Sequence, residues 1–358
     1  MSSAQQVKNI EQESSHTLST RNAKYASVFS ELLLKYGLII TLIAVSVFFS
    51  LKTEAFASID NLLDILRAVS ILTIVALGVT FSVVVNGFDV SVGAVTGLAV
   101  ILAPALMVIW KFPWYVAVLI SLSAGAIIGF LNSILIVRFR IPDLLATLGM
   151  LYLVQGLQMS ITKGDAVYKG MTNPWSPDRA IADGVISPIF LKFGQGFVLS
   201  SESFRGIPIP VIIMLAVALI AFVFLELTRY GRIFYAVGGN SEAARLAGID
   251  VNLVRTIAYI ISALLATTGG LVLAARIGSG AVKAGDPYLL DGVAATYFGF
   301  AVLNARRANV FGTVLGAIFV GVMLNGLTMM NIPWYIQDVI KGLVLIVSLG
   351  LSYYTTRR

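Results

Sequence analysis

The chain has 358 residues, of which 58% are hydrophobic and only 12% charged, about half the charge density of an ordinary water-soluble domain. A mean hydropathy of +0.91, with apolar runs of about 18 residues or more recurring along the length, excludes a globular soluble fold and marks an all-α integral membrane protein. With no cysteine and one histidine, His16, disulfide, thiolate and histidine-centred metal chemistry are excluded, and the net charge of +7 reads as Lys and Arg gathered in inward-facing loops, with no nucleic-acid partner required.

In chain order, residues 1–31 form a Ser- and Gln-rich tail of mixed charge, expected to be disordered. Lys52 and Glu54, standing just before the small-residue stretch Ala55 to Ser58, argue against a cleaved signal peptide. The membrane domain, 32–353, holds about ten hydrophobic spans near 32–51, 66–85, 90–110, 114–136, 142–161, 208–227, 256–274, 288–304, 311–330 and 335–353, and residues 354–358 form a short C-terminal tail. The eighth span is the weakest, being short and carrying Asp291 near its start. Arg138, Arg140, Arg229, Arg232, Arg245, Arg255, Arg306 and Arg307 all fall on the same side as the N-terminal tail, which places both termini in the cytoplasm. On the opposite side, the loop 162–207 is either a cap folded over the membrane surface or a plain connector.

Between the second and third spans lies VVVNGFDVSVGAVTG, Val83 to Gly97. Gly87 and Gly93 weaken a helix here, so the second helix is expected to end near Asn86 and the third to start at Asp89 or Ser91. Gly93 and Gly97 leave a flat face for a neighbouring helix. If this break lies at membrane depth, its backbone must line a cavity or be buried in protein, and Asp89 is a pathway candidate; at the cytoplasmic surface it is an ordinary cap. Gln155 and Gln158, one turn apart on the fifth span, either line a polar pore or pack. Asn132 and Asn325 are expected as interhelical hydrogen-bond partners, and Asp338 with Lys341 as an i,i+3 pair or snorkelling groups.

Asn132 and Asn325 also belong to an internal echo. LNSILIVRFRIPDLLATLGML from Leu131 and LNGLTMMNIPWYIQDVIKGLV from Leu324 each run Leu-Asn, a turn or two, Ile-Pro, then a new span. The two lie five spans apart, so one copy must be inverted, the arrangement of many transporters.

Residues 228–255 form the longest cytoplasmic loop between spans. Gly238 and Gly239 are expected to make a flexible turn, Asn240 to cap a helix of about two turns, Glu242 to sit in its first turn, and Gly248 to end it. Ala243, Ala244 and Ala247 give it a small-residue face, flanked by Glu242 and Arg245. So short a helix needs a partner surface, either its own bundle or another protein. None of the ten lysines follows a glycine, so there is no Walker A loop. Any ATP must be bound elsewhere.

These residues carry a resemblance. YAVGGNSEAARLAGI resembles the coupling loop of the permeases of ribose-, galactose- and xylose-type bacterial ABC importers; NGFDVSVGAVTGLAV resembles their Asp-containing signature; and VFGTVLGAIFVGVMLNGLTMMNIPWYIQDVIKGLVLI resembles their C-terminal pair of spans. The similarity covers about Leu62 to Leu351. Departures are Asn86-Gly87 where the family has Gly-Gly, Phe88 for an aliphatic residue, and Arg306-Arg307 within Phe298 to Gly312 where relatives carry a glycine-rich turn. The resemblance implies a non-catalytic permease of the bacterial inner membrane, carrying a monosaccharide or similar polar solute. Its implied partners are a second permease subunit (a copy or a close paralogue), cytoplasmic ATPases holding ATP and Mg, and a periplasmic solute-binding protein. It implies that 238–248 docks on the ATPase, and that Asp89 holds a structural break beside the pathway. An ion-coupled transporter working alone is the alternative; it would need Asp89 or Asp291 as its ion carrier.

Overall fold

A computed structural model describes residues 39–200, 205–302 and 307–356. The N-terminal tail, the start of the first span and Arg306 lie outside the described residues. The described chain is almost wholly helical: α1 (Ile39–Lys52), α2 (Ile59–Val84), α3 (Val92–Val108), α4 (Trp114–Ser133), α5 (Asp143–Thr162), α6 (Pro188–Gln195), α7 (Ile209–Phe222), α8 (Arg229–Gly239), α9 (Ser241–Leu246), α10 (Val251–Ile277), α11 (Asp286–Val302), α12 (Val310–Met329) and α13 (Trp334–Thr356). A two-stranded hairpin pairs β1 (Phe197–Val198) with β2 (Ile207–Pro208). Wide π turns extend α4 over Ile134–Arg138 and α7 over Val223–Leu227.

Among the described residues, six helices are long and apolar enough to cross a membrane: α2, α4 and α7 (the last two with their π turns), α5, α10 and α12. α1 and α3 are apolar but shorter. α2 begins seven residues before the hydrophobic stretch that announces it, because its first turns carry Asp60, Asn61, Asp64 and Arg67. Ser58 caps it, accepting from the Asn61 N–H.

Apolar residues circle α2 and α10, and such helices are buried centrally. Each packs on the other. Around them the packing repeats with elements exchanged: α2 holds α11 and α12 as α10 holds α3 and α4, while α3 packs on α4 and α5 as α11 packs on α12 and α13. The turns into α5 and α13 also match. Arg140 and Asn331 both adopt left-handed backbone, φ 57° and 55°, and each is followed by Ile-Pro at a helix start, where a missing N–H costs nothing.

Close approach at the centre depends on glycine. A Cβ on Gly129 of α4 would fall 2.6 Å from the Tyr259 carbonyl of α10, and one on Gly125 would meet Thr267. Larger residues at these positions would pry α4 off α10.

The described part of the 162–207 loop is folded down on the helix ends. Val167 bridges to Gly280, the Trp175 indole donates to the Ile161 carbonyl at 2.8 Å, and α6 packs on the end of α10 through Gly194.

Gly129→Val is expected to lower stability by about 1–3 kcal/mol through overpacking, read as a drop in the thermal midpoint of the detergent-purified protein. Gly149→Ala, at a position with open space around it, should leave that midpoint in place.

Candidate functional site

The site begins at an elbow. Thr228 caps α8, its hydroxyl accepting from the Gly231 N–H at 3.2 Å. Phe234 of α8 stands edge-on to both Phe81 of α2 and Phe224 of the π turn, at 6.3 and 5.3 Å between centroids. The Tyr235 hydroxyl donates to Glu226 at 2.7 Å, and Arg307 stacks 4.0 Å over the same ring while reaching Glu226. Burial, then the neighbouring Glu226 carboxylate, pushes the Tyr235 phenol well above its ordinary pKa, so it stays protonated and keeps donating. α8 is thereby riveted to the bundle.

Gly238 and Gly239 are not the flexible turn that two adjacent glycines announce. They are the last residues of α8. Gly238 is needed for contact: a Cβ there would fall 1.9 Å from the Val84 carbonyl at the end of α2. The chain breaks one residue later, at Asn240 (φ −157°), whose side-chain oxygen accepts from the Ala243 N–H. α9 then runs six residues, and Gly248 at φ +83° closes it. The alanine face is split. Ala244 is buried against the bundle, whereas Glu242, Ala243, Arg245 and Ala247 are exposed, with Glu242 and Arg245 paired at 3.3 Å. Leu246, passed over in the sequence, is 89% exposed at the tip. Two residues from Ala244 on a short helix, it had to face away from the bundle.

Directly above the elbow, α2 ends in a Schellman turn. Asn86 takes the left-handed position (φ 56°), its N–H bonding the Val83 carbonyl and that of Gly87 the Ser82 carbonyl, both at 2.9 Å. Asn86, Gly238, Gly239, Asn240, Ser241 and Arg255 line one polar cavity of about 450 Å³. Gly87 lies against an ion pair joining α5 to α10, in which Arg255 clasps both oxygens of Asp143 at 2.7 and 2.6 Å and the Tyr259 hydroxyl donates to the same carboxylate. A Cβ on Gly87 would collide with that hydroxyl. Asp143, which directly follows the Ile-Pro of the echoed stretch, and Tyr259 are not singled out by the sequence, because nothing local announces that they pair.

From Gly87 the backbone climbs unwound into the bundle. Thr147 of α5 donates to the Phe88 carbonyl and accepts from the Val90 N–H. Asp89 is 1% exposed. One of its oxygens accepts from the Ser91 N–H at 3.0 Å and the Ser91 hydroxyl at 2.6 Å, the other from the Ser262 hydroxyl at 2.9 Å. Asn132 of α4 donates to Ser91 at 2.9 Å. Ser91 holds the N-cap position of α3 without a side-chain cap bond; Asp89 organises the turn in its place. Ser262 is eleven residues into α10, roughly 16 Å from its start. The break therefore joins the two locations the sequence leaves open, with Asn86 at the elbow and Asp89 deep among the helices.

Beyond it, a Cβ on Gly93 would press on Leu289, and one on Gly285 would fall 2.2 Å from the Gly97 nitrogen, so α3 and the start of α11 touch backbone to backbone. Gln158 is fully buried over Gly97, donating to the Ala94 carbonyl at 2.8 Å and accepting from the Lys283 N–H at 3.1 Å. Gln155 reaches Asp286 at 3.2 Å. In this conformation the two glutamines clamp the segment before α11, and Gln158 presents nothing to an open path. Asn325 is remote from the break and exchanges hydrogen bonds with Asn61 at 3.2 and 3.0 Å. Lys341 lies between Asp338 and Asp291, at 3.6 and 3.5 Å.

Residues 61–349 match the family described as the permease component of branched-chain amino acid transport systems. The chain is 33% identical to the ribose import permease protein RbsC of Haemophilus influenzae, over 89% of this chain and 93% of that protein. It is 34% identical to RbsC of Escherichia coli K12, over 87% and 91%. The xylose transport system permease protein XylH of Haemophilus influenzae is 28% identical, over 88% and 95%. No solved structure matches.

Asp89→Ala is expected to orphan the buried Ser91 N–H and cost about 1–3 kcal/mol, while Asp89→Asn, which keeps an acceptor, should cost less. The thermal midpoints of the two purified variants check the order.

Proposed function

The chain belongs to that permease family, and on this premise we propose that it is the membrane-spanning subunit of a bacterial ABC importer for a monosaccharide, driven by ATP hydrolysis in separate subunits. The family is named for amino acids, but relatives aligned over about nine-tenths of their length carry the names of ribose and xylose permeases. That supports a pentose or a solute of like polarity. The observation that carries the coupling role is α9, a capped helix of six residues that leaves Glu242, Arg245 and Leu246 facing outward at the end of a rigid α8. A helix this short, exposed along its outer face, gains stability from a partner surface.

The chain lies in the inner membrane with both termini in the cytoplasm, and its ten hydrophobic stretches, each overlapping a helix among the described residues, all cross. The exchanged packing of α2–α5 and α10–α13, with the matching Ile-Pro turns, supports an inverted repeat about the α2–α10 contact. The full assembly pairs this chain with a second permease subunit, two cytoplasmic ATPases that hold ATP and Mg, and a periplasmic solute-binding protein. The chain itself catalyses nothing.

In the mechanism, closure of the ATPases pushes on α9. α8 is pinned by Phe234 and Tyr235, so displacement passes through Gly238 to the end of α2 and the Asn86 turn. That turn leads within five residues through Asp89 to Ser91, and the pair couples α3 to α10 and α4. The bundle then changes the side to which its pathway opens.

Glu242→Lys and Leu246→Glu should leave the protein in the membrane while ATP hydrolysis by the assembled complex no longer drives uptake. Radiolabelled sugar accumulation measured beside phosphate release checks this, and normal accumulation in both variants would remove the docking role.

A further inference from the structure

At the end of the bundle opposite α9, two chambers meet. One, of about 410 Å³, lies between α2, α10, α11 and α12 and is lined by Asp64, Leu72, Arg276, Tyr288, Asn325 and Thr328, among others. The second, of about 370 Å³, lies between α11, α12 and α13 and is lined by Leu290, Asp338, Lys341 and Val344. Pro287 and Asp291 belong to the walls of both. Each volume falls in the range of small-molecule sites.

The lining is unusual for a helix bundle. Asp291 and Lys341 pair at 3.5 Å with side chains only 10% and 21% exposed, and ionisable groups among membrane helices are retained where they serve a pathway or a ligand. Arg276 faces the outer chamber and makes no ion pair among the described residues. Ala68, Leu72, Gly321 and Tyr288 line the same chamber as Arg276 and Asp291. A sugar presents hydroxyls that both donate and accept on its rim, and C–H faces that stack on apolar and aromatic surface. The first chamber offers a guanidinium donor, a carboxylate acceptor and an aromatic wall, and the second an ammonium donor beside the same carboxylate, so that together they meet all three demands.

We propose that these chambers form a monosaccharide subsite on the outward half of the pathway, with Arg276 and Asn325 engaging the sugar first and the Asp291–Lys341 pair receiving it next. The subsite rests on the reading of the chain as a sugar permease. It is weak by design of its parts: Asn325 must give up Asn61, and Lys341 must share Asp291, so the sugar is passed along rather than held.

The chain has no cysteine, so Thr328→Cys supplies a single reporter in the outer chamber. Cells carrying the whole transporter are treated with a membrane-impermeant thiol reagent, and labelling is timed with and without each of a panel of pentoses and hexoses. The sugar that is taken up should slow labelling several-fold while sugars that are not taken up leave it unchanged. Arg276→Gln should cut uptake of that sugar about tenfold, the loss of one charged hydrogen bond, while the purified complex still hydrolyses ATP, and Arg276→Lys should restore part of it. Should Arg276→Gln fail to reach the membrane, protection of Thr328→Cys decides alone. Normal uptake with labelling indifferent to every sugar overturns the subsite and leaves the permease standing, and this is also the outcome if the chambers are filled by lipid or by a second copy of the chain. No uptake of any sugar by the unmodified transporter overturns both.

Discussion

Everything in this fold is arranged around six residues of unwound backbone, Asn86 to Ser91, that pass through the interior of a helix bundle. Backbone polar groups in such a place must find partners inside the protein, and the flanking helices and Asp89 supply several of them. Ser82 and Val83 of α2 take the first two N–H groups, Thr147 of α5 serves Phe88 and Val90, and Asp89 gathers Ser91 and Ser262. The segment is therefore a point at which α2, α3, α4, α5 and α10 are tied together by hydrogen bonds. Within a membrane, where helices gain little by burying apolar surface against one another, such bonds and close glycine contacts decide the geometry.

The same segment explains why a small cytoplasmic helix can matter to distant parts. α9 touches little by itself, but the α8 end that carries it rests on the α2 end, and the cavity between them is walled by Asn86 on one side and Gly238 and Asn240 on the other. Arg255 joins this cavity to Asp143, and so to the foot of α5. α5 is mostly exposed along its length and is fastened to its neighbours at intervals by polar groups: Asp143, Thr147, Gln155 and Gln158. Its buried Ala146, Met150 and Val154 add an apolar seam to these polar attachments.

Much of this could be read from the residues. The hydrophobic stretches name the helices because period and length are robust signals, and Asn86-Gly87, Asn240 and Gly248 name their own turns because each conformation admits few residues. Gly238-Gly239 misled because paired glycines announce flexibility and close approach equally well, and only the position of Val84 tells them apart. Gln158 stayed open in the sequence for a related reason: a glutamine in a span is a pore wall or a clamp according to what stands opposite, and Ala94 and Lys283 are distant in sequence. Asp143, Tyr259 and the chamber at Arg276 were silent because long-range pairing leaves no local pattern.

The Asn86–Gly87 step carries one more consequence. An asparagine followed by glycine is the dipeptide in which the glycine nitrogen most readily attacks the side-chain amide, closing a succinimide and releasing ammonia. In the closed turn that nitrogen is committed to the Ser82 carbonyl, and Gly87 is pressed against Tyr259. The closed end of α2 thus also keeps the Gly87 nitrogen away from the Asn86 amide, a chemical protection that would lapse if the turn opened.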